Sequence, residues 1–182
     1  AKVESHIWQG TDTAGAFEGL GSMISGSDDS IKITAATSFD ASNVVAELGD
    51  VVDAIPQSIY DADDLMLYVS SDVMRAYRRS LGGFAANGMG GNGFDGKGNN
   101  QNINVEFFDR VKLFQANGLP ARTIIAAQKS NLAFGTGLMS DHNEVRVIDL
   151  ADIDGSNNFR LVLRFTAGVQ VGIPGDVVYY GV

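Results

Sequence analysis

The sequence predicts an α+β domain in which a mixed sheet is flanked by helices. Two stretches in the first half, 43–55 and 70–81, carry apolar residues at helical spacing. Between them, the run Leu65–Val69 is apolar at every position, which favours a strand covered on both faces at the centre of its sheet. The second half consists mainly of predicted strands, and this segregation of helices from strands is typical of the α+β class.

The segment 1–38 is expected to be mostly irregular, because glycines recur there too often for a helix, with one short strand at Ile31–Thr34. The first helix follows over 43–55, and Asp40 or Ser42 is available to cap its start. Pro56 disfavours a helical conformation at the residue before it, so the helix should end there. The apolar stripe of this helix consists of Val44, Leu48, Val51 and Ile55.

The second helix is predicted to begin at Ser70 or Ser71 and to end before Gly82 and Gly83. Its inward residues are Val73, Met74, Tyr77 and Leu81. Its outward face carries Arg75, Arg78 and Arg79, near the negative end of the helix dipole. These arginines form either a solvated face or a site for a carboxylate or phosphate on a neighbour. The segment 82–98, in which eight of 17 residues are glycine, is predicted to be a long surface loop.

The rest of the chain is predicted to form strands joined by turns. Expected strands lie at 105–114 and 123–127, on either side of a turn at Asn117 and Gly118. A hairpin is predicted from 144–150 and 159–165, because the residues between them have the composition of a turn. Two short apolar runs, 169–173 and 177–182, close the chain.

Composition excludes several classes of function. The chain has no cysteine, which removes disulfides, thiolate nucleophiles and zinc-thiolate sites, and it has only two histidines. Its longest uninterrupted apolar runs are about five residues, far short of the roughly 20 that cross a bilayer. The net charge of −9 disfavours sequence-specific binding to nucleic acid. Because the chain starts with Ala and has no secretory signal, we expect a processed product or an excised piece.

No group of residues forms a convincing catalytic site, so we expect neither enzymatic activity nor a cofactor. The pattern G-x-G-x-x-G at 88–93 lies inside the glycine-rich segment, without the strand and helix that a dinucleotide site requires. Consecutive Ser140, Asp141 and His142 cannot form a triad among themselves, because neighbours in an extended segment point to opposite sides. Hard oxygens at Asp149, Asp152 and Asp154 suit calcium, although a bare hairpin turn accounts for them better.

Several segments, read in order, resemble the major capsid protein of tailed bacteriophages, whose Hong Kong 97-type fold is shared with encapsulin shells. The stretch 9–20, QGTDTAGAFEGL, is similar to the turn that follows the long spine helix of that family. The stretch 65–75, LMLYVSSDVMR, resembles its strand-to-helix element. The stretch 129–136, KSNLAFGT, followed by Ser-Asp-His at 140–142, is the best family marker, and the closing strands from 144 onward follow it.

The resemblance implies a division into an axial-domain-like region at 1–137, in which 1–10 is the end of the spine region, and peripheral-domain-like closing strands at 138–182. The chain would then be a C-terminal fragment that lacks the N-terminal arm, the extended loop and most of the spine helix. Subunit contacts would involve the three arginines of the second helix together with Asp141 and His142.

The function implied is that of a structural subunit of a phage head shell, which in the full-length protein self-assembles into pentamers and hexamers around double-stranded DNA. Such a shell is assembled in the bacterial cytoplasm and ends in the virion. Its partners would be further copies of itself and scaffold, protease or decoration proteins. Packaged DNA would lie close to the shell without specific binding, and no membrane would be involved. The alternatives are an encapsulin-like nanocompartment shell and, from another class, a calcium-dependent binding module that uses Asp149, Asp152 and Asp154.

Overall fold

A computed structural model describes residues 2–11, 17–80, 106–136, 144–149, 158–164 and 167–181. The helices are α1 (Lys2–Gln9), α2 (Leu20–Gly26), α3 (Val44–Asp53), α4 (Gln57–Tyr60) and α5 (Ser71–Ser80). The strands are β1 (Ile31–Thr34), β2 (Leu65–Val69), β3 (Glu106–Phe108), β4 (Val111–Gln115), β5 (Ile124–Gln128), β6 (Leu132–Thr136), β7 (Glu144–Asp149), β8 (Phe159–Arg164), β9 (Ala167–Val171) and β10 (Val178–Gly181). The predicted glycine-rich loop at 82–98 lies outside the described residues.

Six strands form one mixed sheet in the order β1-β10-β5-β2-β4-β3. Strand β2 pairs parallel with β4 and antiparallel with β5, so that Leu67 lies opposite both Leu113 and Ala126. The prediction that Leu65–Val69 is a central strand is therefore confirmed. The prediction of an α+β fold with a mixed sheet is confirmed as well.

Helices cover both faces of this sheet because alternate residues of β2 point to opposite sides. Leu65, Leu67 and Val69 face a core formed with α3, α4 and α5. Met66 and Tyr68 face a second core, which is formed with α1, α2 and β9. Both layers contribute fully buried side chains, whereas Phe107 of β3 and Phe114 of β4, at one edge of the sheet, stay about half exposed.

The expectation that 1–38 is mostly irregular is wrong, since α1 and α2 are both helical. Packing stabilises these two short helices more than intrinsic helix propensity does, because Trp8, Leu20 and Ile24 are buried in the second core. Gly21 allows this contact, because a Cβ on it would lie 2.6 Å from the carbonyl oxygen of Trp8. The glycine that argued against a helix is thus where two helices meet closely.

The single strand expected at 105–114 is a hairpin formed by β3 and β4. Phe108 pairs with Val111, and the two residues between them, Asp109 and Arg110, have φ of 46° and 70°. Positive φ at both central residues is the mark of a type I′ turn, which joins twisted antiparallel strands tightly. Sequence reasoning missed it because glycine or asparagine usually occupies these positions.

The end of the chain returns to the main sheet. Strand β10 lies between β1 and β5, while β9 pairs with β6 in a separate two-stranded sheet. The predicted hairpin is confirmed as β7 and β8, which form a two-stranded sheet of their own. Packing therefore places β9 and β10 with elements from 1–137, and the division at residue 138 stays a prediction.

Candidate subunit interface

The hairpin of β7 and β8 exposes a set of large apolar side chains on one face. Val147 lies opposite Leu161, and Phe159 is two residues along the strand, hence on the same side. Val147 is 66% exposed, Leu161 is 52% exposed and Phe159 is 74% exposed. A two-stranded sheet is marginally stable without a covering layer. This apolar face of the hairpin is therefore a candidate surface for contact with another subunit.

The second two-stranded sheet also presents apolar surface. Phe134 of β6 is 51% exposed, beside Ala167 and Gly168 of β9 in a shallow depression of about 440 Å³. On the same face, Val169 pairs with Phe134 and Val171 pairs with Leu132, and both valines are buried in the second core, which anchors β9. The depression is open and mainly apolar, as suits contact with protein better than with a polar metabolite.

The predicted basic face is present on α5. Arg75 and Arg79 are exposed and Arg78 is half-buried, all on the side of the helix opposite buried Val73 and Tyr77. The Nε of Arg75 donates to the carbonyl oxygen of Ser71, one turn earlier, at 3.1 Å. The arginine stripe predicted from helical spacing is thus formed.

The remaining predicted site residues are not brought into a described site. Asp141, His142, Asp152 and Asp154 lie outside the described residues, and of Asp149 only the backbone, at the end of β7, is described. Among the residues that are described, no group of three histidine or acidic side chains is arranged to hold a metal ion. The calcium hypothesis therefore stays untested at its own residues.

Three aspartates, Asp61, Asp63 and Asp64, lie between α4 and β2, and their carboxylates have different surroundings. Asp64 accepts hydrogen bonds from the backbone N–H of Ser130 at 3.1 Å and from the Ser130 hydroxyl at 2.5 Å. These bonds hold the pKa of Asp64 below its ordinary value, so it stays ionised and structural. Asp61 and Asp63 instead line a depression of about 300 Å³ with Arg110 and Lys112.

Sequence reasoning missed a polar link that holds α5 against two loops. One carboxylate oxygen of Asp72 accepts the backbone N–H of Arg122 at 2.9 Å, and the other accepts the Ser70 hydroxyl at 2.5 Å. The guanidinium of Arg122 donates to the carbonyl oxygen of Thr37 at 2.8 Å. Arg122 itself has φ of 60°, a conformation that costs a non-glycine residue stability. A local sequence pattern cannot predict this contact, because Asp72 and Arg122 are 50 positions apart.

A second missed link ties the last strand to α3. The fully buried Tyr180 donates its hydroxyl proton to Oε2 of Glu47 at 2.5 Å and accepts the backbone N–H of Ala36 at 2.7 Å. Burial, together with the nearby carboxylates of Glu47 and Asp50, raises the pKa of Tyr180 to about 12. The hydroxyl is therefore a permanent donor at neutral pH.

None of the helices in the described ranges is long and apolar enough to cross a membrane. No family model matches the chain, and no curated protein sequence matches it.

Solved structures with a similar fold include two from phages. One is of Mycobacterium phage Che8, with a TM-score of 0.55, 16% identity, and coverage of 84% of this chain and 53% of the other. The second is of the satellite phage P4 procapsid including its size determination protein, with a TM-score of 0.54, 9% identity, and coverage of 90% and 51%. A virus-like particle from Pyrococcus furiosus matches with a TM-score of 0.48 and 11% identity, over 87% of this chain and 57% of the other, and this match carries no argument.

The chain therefore spans about half the length of the solved chains it matches. At these identities the likeness concerns the fold. The expectation drawn from the resemblance is confirmed at that level, since the chain has the α+β fold found in these structures of Mycobacterium phage Che8 and of the satellite phage P4 procapsid.

Proposed function

We propose that this chain is part of a structural subunit of a phage head shell, which assembles with copies of itself around double-stranded DNA. The observation that carries the proposal is the shared fold with the phage P4 procapsid structure over 90% of the chain. The two structures described above with a TM-score over 0.5 come from phages, which favours a phage head over an encapsulin-like shell. The role is mechanical and not enzymatic.

The surfaces of the chain support an assembling protein. The central strands of its main sheet are covered on both faces by other parts of the chain, yet Phe159, Leu161 and Phe134 remain about half exposed or more. Exposed apolar groups gathered on two small sheets are expected where other subunits bind. The net charge of −9 suits a wall that lies near packaged DNA without binding it.

The finer parts of the proposal rest on the resemblance to the Hong Kong 97-type family. We place the axial-like region at 1–137 and the peripheral-like strands at 138–182, with β9 and β10 packed against the former. Pentamers and hexamers, association with scaffold, protease or decoration proteins, and assembly in the bacterial cytoplasm belong to the same proposal. Asp141 and His142 stay candidates for subunit contacts.

The test is assembly itself. Light scattering and negative-stain microscopy of the purified chain should reveal rings or curved lattices that grow with concentration. The double variant Phe159→Ser, Leu161→Ser should reduce assembly, because it removes the apolar face of the hairpin. The matched control is Arg160→Ser, also exposed but on the opposite face of β8. A wild-type chain that is monomeric at every concentration would contradict the proposal.

A further inference from the structure

We infer that the exposed face of α5, through Arg75 and Arg79, docks onto the exposed face of α3 in a second copy of the chain, through Asp50 and Asp53. The inference rests on the proposed function and names the contact partner of the predicted arginine face. The carboxylates of α3 were not singled out by sequence reasoning. They become significant only when the two helices are seen in the same layer over the sheet.

Charge is strongly segregated along this part of the chain. No lysine or arginine occurs between Lys32 and Arg75. Within that interval there are eight acidic residues, Asp40, Glu47, Asp50, Asp53, Asp61, Asp63, Asp64 and Asp72. Three arginines then follow within five residues, at 75, 78 and 79. Since α3 and α5 pack on the same face of the sheet, one layer carries an acidic helix beside a basic one.

Half of these carboxylates have a structural role inside the chain. Asp64 binds Ser130 and Asp72 binds Arg122, as described above. Glu47 accepts from Tyr180, and Asp40 accepts from Ser42 in the turn before α3. Asp50 and Asp53 differ, because both are exposed and neither carboxylate accepts a hydrogen bond or forms an ion pair within the part of the chain that is described.

The position of these two carboxylates is unfavourable for the isolated chain. They lie in the C-terminal part of α3, where the helix dipole disfavours negative charge, and that last turn has no basic residue. At i and i+3 they also repel each other, as Arg75 and Arg79 do at i and i+4. Residues that break local rules without a compensating contact in the same chain are expected at functional positions.

The two helix faces fit each other. Each helix has ten residues, and each presents two like charges one turn apart, about 5–6 Å between neighbouring Cβ atoms. Within one copy α3 and α5 are in contact, but all four charged side chains point away from the sheet and do not pair with each other. Association of two copies brings opposite charges together without moving the fold. A polyanion such as DNA would suit α5 alone and be repelled by α3.

Sedimentation velocity at increasing ionic strength tests the contact on the unmodified chain. Species of two or more copies should form at about 0.02 M salt and dissociate as the salt concentration approaches 0.5 M. At that concentration the attraction between exposed charges extends only a few ångströms. Two charge-reversed variants are then compared, Asp50→Lys with Asp53→Lys, and Arg75→Glu with Arg79→Glu. Each alone should associate at least about tenfold more weakly, since attraction becomes repulsion at every pair.

Mixing gives the decisive result, because each reversed helix is complementary to the other variant. An equimolar mixture should recover association, and neither variant alone should. Asp61→Lys with Asp63→Lys is the matched control, with the same change in net charge on exposed residues outside both helices. If a reversed variant fails to fold by circular dichroism, Asp50→Asn with Asp53→Asn replaces it and should weaken association without recovery on mixing.

Three outcomes would overturn the inference: no association of the wild type at low salt, no recovery in a mixture of the two folded charge-reversed variants, or an equal loss in the control. Microscopy separates this inference from the proposed function. Rings or lattices that persist in both charge-reversed variants would leave the shell subunit intact and remove the helix contact. Salt-sensitive pairs without any ordered larger assembly would do the reverse.

Discussion

Replacing Tyr180 by Phe removes one buried hydroxyl and keeps the ring, so it isolates the link between the last strand and α3. The hydroxyl donates to a carboxylate, a bond worth about 1.5–3 kcal/mol, and satisfies the N–H of Ala36. The aromatic contact with Phe39, at 5.9 Å between ring centroids, is retained. We expect the free energy of unfolding to fall by about 2–3 kcal/mol.

Urea unfolding followed by circular dichroism measures this loss as a lower midpoint with an unchanged slope. The control is Tyr179→Phe in the same strand, whose hydroxyl makes no hydrogen bond within the described residues. It should cost less than about 0.5 kcal/mol. Equal losses for the two variants, or no loss for Tyr180→Phe, would refute the importance of the buried link.

Alkaline pH gives an independent check on the same hydroxyl. The pKa of Tyr180 is raised to about 12 in the folded chain, against about 10 for an unfolded tyrosine. Below pH 10 both states hold the proton and the stability is complete. As pH rises from 10 to 12 the unfolded state loses the proton first, so stability falls, and Tyr180→Phe should remove that part of the decline.

Three further predictions concern backbone and acid stability. Gly21→Ala should lower the free energy of unfolding by about 1–3 kcal/mol, because the new Cβ would lie 2.6 Å from the carbonyl oxygen of Trp8. Gly49→Ala in α3 has open space around it and should raise the free energy of unfolding by about 0.5–1 kcal/mol. Urea unfolding measures both changes. Arg110→Gly should raise the melting temperature by relieving a φ of 70°, whereas Lys112→Gly in β4 should lower it. Hydrogen bonds from Ser130 lower the pKa of Asp64, so the contribution of Asp64 to stability is present above the unfolded pKa of about 3.9 and is lost as pH falls further. Ser130→Ala should therefore reduce the fall in melting temperature at acid pH. An unchanged fall would contradict the prediction.

The elements that the sequence predicted well are those whose apolar pattern directly reflects which of their faces are covered. Helices α3 and α5 carry clear stripes, and β2 is apolar throughout because both of its faces are covered. Helix α2 was missed because its stability comes from Trp8, a partner that a local pattern does not reveal. The turn at Asp109 and Arg110 was missed because tertiary pairing of β3 with β4 overrides an unfavourable local preference.

The candidate interface was predictable to a similar extent and for the same reason. The arginine face of α5 follows from helical spacing alone. The significance of Asp50 and Asp53 depends on which other carboxylates find partners, and those partners, such as Ser130 and Tyr180, lie 66 and 133 residues away from the groups they bind. Spacing identifies a face, whereas only the folded chain shows which of its charges are left for another molecule.

Two kinds of contact surface therefore occur on one chain, and they should respond to salt in opposite directions. The charged faces of α3 and α5 act over a distance that salt shortens, from about 30 Å at 0.01 M to about 3 Å at 1 M. The apolar face at Phe159 and Leu161 depends on burial, which salting-out anions such as sulfate strengthen. Assembly measured against sodium chloride and against ammonium sulfate should accordingly diverge: chloride should weaken the helix contact, while sulfate should restore association through the hairpin. If the Phe159→Ser, Leu161→Ser variant were rescued by sulfate as fully as the wild type, the hairpin would not be an apolar contact, and the helix faces alone would have to account for assembly.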